Sequence, residues 1–543
     1  MVLAKPRELN AITKGRFVCQ MKKIIALPLA SMLALTPLAA ACNNNKDNSP
    51  EAASSPAQAA ASNNGDTAKR IKVSAMTILY SAAPPDKSSG MKILEDKYNM
   101  DYTYIPVAAA DYYNKLGVAV ASGDLPDLTV YPGLDENWYN YLDNGVFMPL
   151  EKYINEKDTP NLAKMPKETM DLVTYKGHIY GLPRLRSQAA HTLTIRKDWL
   201  DKLGLAMPTT YEELENVMKQ FVERDPDGNG KKDTYGLAFN AGSGTLGAVS
   251  LLSSFNTPTN INWNKHTDGK IYPILAHPNF RDSLAYLAKL YKEGIISKDF
   301  VIMKGNQAED DFLSGRAGVF GDFAWNAYNE DRLKKAKAVN PNFQWEPVPP
   351  LKGPNGFQGY AKGSGFNGFI AIPATQAKDE AKVKRMLKFL DDQMEADMNS
   401  DLYKLLNYGK EGEHYSLKDG KVVYTDLGTK ERPYLYLLTN PPSEATGLNN
   451  PNDSKEIQDI RNASYKAGLA GTPYSDPALK LVPTPTFKEK GTELNKILFE
   501  DIVKVISGEQ PLEYYDKALT DWKAKGGQKI LDEMNEAYKA SSK

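Results

Sequence analysis

Between Ile71 and Tyr131 short apolar runs alternate with helical patterns, and this alternation constrains the fold more than any other feature of the chain. Ile71 to Tyr80 reads as a strand, Lys92 to Tyr98 as the end of a helix, and Asp101 to Val107 as a second strand. A helix over Asp111 to Ala121 follows. The run Ser122-Gly123-Asp124-Leu125-Pro126-Asp127 stops it ahead of a third strand at Leu128 to Tyr131. A repeated strand-helix-strand order predicts a parallel sheet with helices on both faces, and ligands then sit at the carboxyl ends of the strands. At 543 residues the chain exceeds the roughly 250 to 300 at which one hydrophobic core stops growing, so two lobes or more are expected.

The first 70 residues obey different rules. Met21-Lys22-Lys23 opens a basic stretch, the apolar run Ile24 to Ala41 is broken at Pro37, and small residues precede Cys42. This is the build of a secretory signal, too short and kinked for a membrane anchor. A cysteine directly after small residues resembles the bacterial lipobox, in which the thiol receives diacylglycerol and becomes the first residue of the mature protein. Residues 1–20 have no part in such a signal, so translation is expected to start at Met21, with 1–41 an upstream extension plus signal peptide. Residues 42–70, rich in Asn, Ser, Ala and Pro without apolar periodicity, read as a lipid-anchored, disordered tether. Residues 1–41 hold six basic groups against one acidic, which leaves 61 basic and 66 acidic groups beyond them. A mildly acidic body removes the electrostatic argument for nucleic acid.

Further along, residues 175–183 (Tyr175 to Pro183) read as a hairpin leading into an extended crossover. Arg196 to Gly204 reads as a short amphipathic helix, and Thr210 with Glu213 as a capping box opening a helix that continues through Phe221. Later helices are expected around Glu493 to Ser507 and Leu512 to Tyr538. Five segments in order, SGDLPDL at 122–128, KGHIYGLP at 176–183, RKDWLDKLGL with PTTYEEL at 196–214, DFLSGRAGVFGDFAW at 311–325 and YGKEGEHY at 408–415, together resemble the extracellular solute-binding lipoproteins of ABC importers. The resemblance is to the large oligosaccharide-binding type and its alginate-binding relatives. It implies a two-lobed, discontinuous α/β fold of periplasmic-binding-protein type II, with a hinge and an interlobe ligand cleft. The lobes would be 71–188 with about 369–440, and about 189–368 with about 441–543. It further implies an oligosaccharide ligand, permease subunits on separate chains, a monomer, and a place on the outer face of the membrane.

Asp225-Pro226-Asp227-Gly228-Asn229-Gly230-Lys231-Lys232-Asp233 is the sharpest local motif. Asp225, Asp227, Asn229 and Asp233 stand at positions 1, 3, 5 and 9 of an EF-hand-like loop, glycine at position 6 gives the sharp turn, and Lys231 at position 7 can offer its carbonyl. Such hard oxygen donors suit Ca²⁺. Gly236 replaces the bidentate glutamate of position 12. The resemblance implies a structural role in the second lobe, away from the cleft.

Thirty tyrosines and six tryptophans suit a carbohydrate cleft, because sugars pack C–H faces on aromatic rings, although most such rings fill cores. Trp325, with Asp322 just before it in a loop read over 320–324, lies where the resemblance implies a cleft aromatic. Trp138 and Tyr139 follow the third strand at the lip where sheet-end ligands bind. Arg184, after the crossover, suits either a uronate carboxylate or an interlobe salt bridge. His414 with Glu411 and Glu413 lies in what the resemblance implies is a recurring turn, and Trp199 reads as a packing anchor. Phosphate-loop, zinc-protease, hydrolase-elbow and dinucleotide motifs are absent from the sequence. The expectation is therefore a binding protein and not an enzyme. A peptide-binding or sensory lipoprotein and a surface polysaccharide-degrading enzyme are the alternatives.

Overall fold

The computed structural model describes residues 69–543 apart from 80–81, 110, 190, 243–245, 248, 260–261, 304–305, 325–326, 442–449, 451, 472–474 and 542–543. Met21, Cys42 and Trp325 thus lie outside the described residues. The chain first runs through β1 (Ile71–Leu79), α1 (Ser89–Lys97), β2 (Met100–Ala108), α2 (Tyr112–Ser122), β3 (Leu128–Tyr131) and α3 (Glu136–Asp143). A hairpin of β4 (Thr174–Tyr175) and β5 (His178–Ile179) precedes β6 (Leu182–Leu185). Then come β7 (His191–Arg196), α4 (Lys197–Leu203), α5 (Tyr211–Glu223), β8 (Tyr235–Ala238), β9 (Trp263–Lys265), β10 (Ile271–Pro273), α6 (Phe280–Lys292), β11 (Ala317–Phe323), β12 (Trp345–Pro347) and β13 (Phe366–Ala371). The longer helices of the remainder are α7 (Glu380–Asp392), α8 (Lys455–Leu469), α9 (Pro485–Ile506), α10 (Glu513–Trp522) and α11 (Gln528–Ser541).

Two sheets organise these elements. The first has the order β2-β1-β3-β13-β6 and the second β12-β7-β11-β8. β1 pairs in parallel with β2, from Ile71 opposite Met100 to Leu79 opposite Ala108, and with β3, as alternation predicts. β13 returns antiparallel between β3 and β6. The core around the first sheet draws on residues 73–185 and 369–438, and the main core of the second on 193–361 and 481–534. A smaller core on 238–345, closed by Ile457, also belongs to the second sheet. The fold is therefore a two-lobed α/β architecture in which the chain leaves each lobe and returns.

Three local expectations need correction. Residues 182–185 are a strand and not part of a crossover: Pro183 is tolerated because β6 is an edge strand, where a missing N–H disrupts little. Residues 320–323 are strand and not loop, since Phe320 to Phe323 pair with Thr194 to His191. The helix expected over 512–538 is broken at Gly526, whose φ of 133° no other residue adopts comfortably.

Candidate functional site

Strand directions place the functional edge. β1, β2, β3 and β6 end on one edge of the first sheet, where β13 begins; β8, β11 and β12 end on the edge of the second sheet where β7 begins. The crossing from β6 to β7 and the return from β12 to β13 therefore both join carboxyl edge to carboxyl edge. Backbone bonds lace the two crossings together: Arg186 N donates to the Gly365 carbonyl and Gly363 N to the Gln188 carbonyl, both at 2.9 Å. The third crossing starts beyond Leu438, whose carbonyl accepts Arg184 Nε at 2.8 Å. Arg184 also reaches the Asn367 carbonyl at 3.5 Å, so its guanidinium braces β6 against two backbone segments of the first lobe.

A cavity of about 650 Å³ opens mainly in the second lobe, with one residue of the first lobe in its wall. Leu134, in the loop between β3 and α3, contributes from the first lobe, and Trp263, Leu481, Phe487 and Phe499 contribute from the second. Its volume falls within the range of small-ligand sites. Asp476 is the carboxylate most enclosed by the wall. It accepts the N–H groups of Asn262 (2.9 Å), Trp263 (3.2 Å) and Ala478 (2.8 Å), while burial pushes its carboxyl above the ordinary range. Lys496 and Glu500, at the rim, face each other at 4.0 Å. Aromatic faces beside spent charges suit an uncharged, flat-faced group. Lys480 of the second lobe pairs with Asp171 of the first at 3.5 Å.

The aromatics expected at the lip are elsewhere. Trp138 is 1% exposed and packs against Phe369, Tyr131 and Phe147 at ring-centroid distances of 4.3 to 5.1 Å. Tyr139, 8% exposed, packs on Tyr175. Both point from α3 into the core, because the apolar side of that helix must cover the sheet, and neither offers a free ring face. Asp322, in β11, pairs through its backbone with Thr192 of β7; Trp325 lies outside the described residues. Trp199 is core, edge-on to Phe221.

The acidic loop joins α5 to the amino end of β8, the edge opposite the crossings. Asp225 accepts the N–H groups of Gly228, Asn229 and Gly230 at 2.9 to 3.2 Å, and Lys231 N donates to Asn229 Oδ1 at 2.7 Å. The Asn229 amide nitrogen donates to Asp227 at 2.7 Å and to Asp233 at 3.1 Å. Burial, together with the neighbouring Asp225, raises the Asp227 carboxyl, and the hydrogen-bonding lowers Asp225. Among the described residues no three or more His, Cys, Asp or Glu side chains stand closed around one point as a metal site. A carboxylate cannot be supplied at loop position 12 by substituting Gly236, since a Cβ there would sit 2.6 Å from both Ile295 and Met218.

His414 is fully buried, with Nε2 2.9 Å from Ser89 Oγ, and Ser89 Oγ donates to Glu431 at 2.9 Å. The set resembles a hydrolytic triad only in composition. Nδ1 accepts the Lys410 N–H, which assigns the ring proton to Nε2. That nitrogen then donates to Ser89 and cannot take its proton. The cluster ties the 410–415 turn to the start of α1; Ser89 and Glu431 carry no sequence signal that would have linked them to His414.

A profile of the family described as bacterial extracellular solute-binding protein matches residues 91–409. The chain is 31% identical to the polygalacturonan/rhamnogalacturonan-binding protein YtcQ of Bacillus subtilis over 94% of its length and 98% of that protein. It is 30% identical to lipoprotein LipO of the same organism, over 96% of this chain and 99% of that one. The crystal structure of alginate-binding protein AlgQ2 without calcium ion shares the fold, with a TM-score of 0.63 at 20% identity, covering 87% of this chain and 99% of that one. By profile, full-length relatives and fold alike, the chain belongs to the bacterial extracellular solute-binding proteins.

Proposed function

We propose that the chain is the substrate-binding component of an ABC importer, which captures an oligosaccharide outside the membrane and passes it unaltered to permease subunits. The observation that carries this reading is the cavity to which both lobes contribute, Leu134 from the first and the half-buried rings of Phe487 and Phe499 from the second, beside the core residue Trp263. Saccharides pack C–H faces on such rings and satisfy their hydroxyls on the polar groups between them. Closure about the three crossings would complete the site, with Trp325 and Asp322 as proposed ligand contacts. YtcQ, similar over nearly the whole chain, is named for the binding of polygalacturonan and rhamnogalacturonan.

Two finer parts belong to this reading. The protein works as a monomer held to the outer membrane face by lipid on Cys42, with no helix among the described residues long and apolar enough to cross a membrane. A structural Ca²⁺ is held by Asp225, Asp227, Asn229, Asp233 and the Lys231 carbonyl. The donor set fits a hard cation: the Asn229 amide nitrogen, lying between two carboxylates, brings a partial positive charge to them, and turning that amide over would present Oδ1 instead. Calorimetric titration against panels of oligosaccharides and peptides, followed by thin-layer analysis of the recovered ligand, tests the function. Binding of an intact saccharide is expected. Binding of peptides alone, or cleavage of the saccharide, would overturn it.

A further inference from the structure

Many ion pairs on this protein are local. Lys167 with Asp171, Lys455 with Asp459 and Lys517 with Asp521 each join residues four apart along the chain, and a pair of that kind steadies only its own helical turn. Lys480 also reaches Asp171, at 3.5 Å, and this pair joins the second lobe to the first. Its place sets it apart, because Lys480 stands inside a stretch of cavity wall: Asp476, Ala478, Leu479, Leu481 and Pro483 all line the cavity.

The wall loop is tightly held. Asp476 Oδ1 accepts Ala478 N at 2.8 Å, Leu479 N donates to the Asp476 carbonyl at 3.4 Å, and Leu481 N donates to the Ala478 carbonyl at 2.9 Å. Two overlapping turns thus carry the chain past Lys480 to Leu481, which is rooted in the main core of the second lobe. Asp476 Oδ2 takes Asn262 N and Trp263 N, and strand pairing sets Trp263 opposite Pro273, a further wall residue. Wall segments remote in sequence are therefore stapled into one piece, and what pulls on Lys480 pulls on the wall. Asp171 is as firmly placed in the first lobe: Lys167 reaches both its oxygens at 2.7 and 2.8 Å, and buried Leu172 and Val173 follow it. Lys167 first, with Lys480 beyond it, holds the Asp171 carboxyl below the ordinary range despite some desolvation, so it is an anion at neutral pH.

We infer that Lys480 and Asp171 are positioning residues for capture: their ion pair ties the cavity wall to the first lobe and so slows the parting of the lobes that frees a bound ligand. The effect on a ligand rests on the oligosaccharide-binding reading above, whereas the tie between the lobes does not. A pair this exposed, with side chains 53% and 36% accessible, adds little to folding. It is made only where the lobes meet, so losing it raises the rate of release and leaves the encounter with ligand nearly unchanged.

Two measurements separate the claims. Carbodiimide, which condenses an amine with a carboxylate already in contact, should form a Lys480–Asp171 amide in the unliganded protein, found by mass spectrometry of its digest. Formation of the Lys167–Asp171 amide alone overturns the tie. Stopped-flow release is then followed with trigalacturonate, cellotriose and maltotriose as probes. For a probe that binds, Asp171→Asn and Lys480→Gln should each speed release about twofold to fivefold, the range of an exposed ion pair, and the double variant should do no more than either alone. Lys167→Gln removes only the local pair and should not speed release. Added salt should bring wild-type release toward that of the variants, with association rates alike throughout. Wild-type release from both single variants, or effects that multiply in the double variant, overturn the role of the pair and leave the saccharide reading standing. If the crosslink forms and none of the three probes binds, the tie stands and the oligosaccharide reading falls.

Discussion

His277 is 1% exposed between β10 and α6, with its Nδ1 accepting the Asn279 N–H at 3.2 Å and the rings of His266 and Tyr272 edge-on against it. Protonation would put a charge in the core, near His266, and destroy the acceptor. Burial first, and then His266, hold the pKa at about 4 against an ordinary 6.5, with Asp268 opposing. The folded ring stays neutral while the unfolded ring charges below pH 6.5. Stability is thus fully present above 6.5 and is lost progressively as pH falls toward 4, on the order of 3 kcal/mol in all. Melting at pH 7.5 and 4.5 should show His277→Gln less acid-sensitive than wild type by a few degrees, and equal slopes would remove His277 as a source of acid lability. Nothing in the sequence marks this histidine. Arg184 was equally hidden, since only the fold decides that its guanidinium is taken up by the Leu438 carbonyl, some 250 residues away. Trp138 failed as a lip residue for the opposite reason, because position after a strand says nothing of which side of the following helix must cover the sheet.

Among elements, the capping box of α5 was legible down to its atoms, with Thr210 accepting from Glu213 N at 3.2 Å and the Glu213 carboxylate reaching back, because a cap depends only on residues three apart. β6 and the end of β11 were not legible, since their strand character comes from partners remote in sequence: Leu185 lies opposite Phe366. The loop between α5 and β8 lies between these cases. Its donors follow from spacing, whereas the blocked twelfth position follows from Gly236 packing against Met218 and Ile295. Three carboxylates in one exposed turn, with Asp227 raised by burial and by Asp225, should stabilise the second lobe only with a cation present. Linkage gives about 2.7 kcal/mol at a hundredfold excess over the dissociation constant. Chelation should therefore lower the melting temperature by several degrees, re-addition of Ca²⁺ should restore it, and Asp227→Ala should be insensitive to both. An identical wild-type melting curve with and without chelator, and no calcium in the purified protein, would leave the loop a solvated turn.

For the whole molecule, length alone required more than one lobe, but how the chain divides between them depends on strand pairing, and β13 joins the first sheet only after the second has been built. Cys42→Ser is expected to move the protein from the membrane fraction to the soluble one or leave it unprocessed; retention in the membrane with unchanged mass would refute lipid attachment. The shared cavity makes a separate demand on both lobes. Leu134 is the first lobe's contribution to its wall, half-buried in a loop, whereas Trp263 is 4% exposed and part of the second lobe's core. Leu134→Asp should therefore place a charge against the ligand, weakening saccharide binding at least tenfold, or about 1.4 kcal/mol, while shifting the melting temperature of the unliganded protein by no more than about two degrees, as surface substitutions usually do. Trp263→Ala should lower affinity and melting temperature together, because it opens a core cavity. If Leu134→Asp binds the saccharide like wild type, the ligand does not span the two lobes at this cavity, and capture by closure around it is wrong.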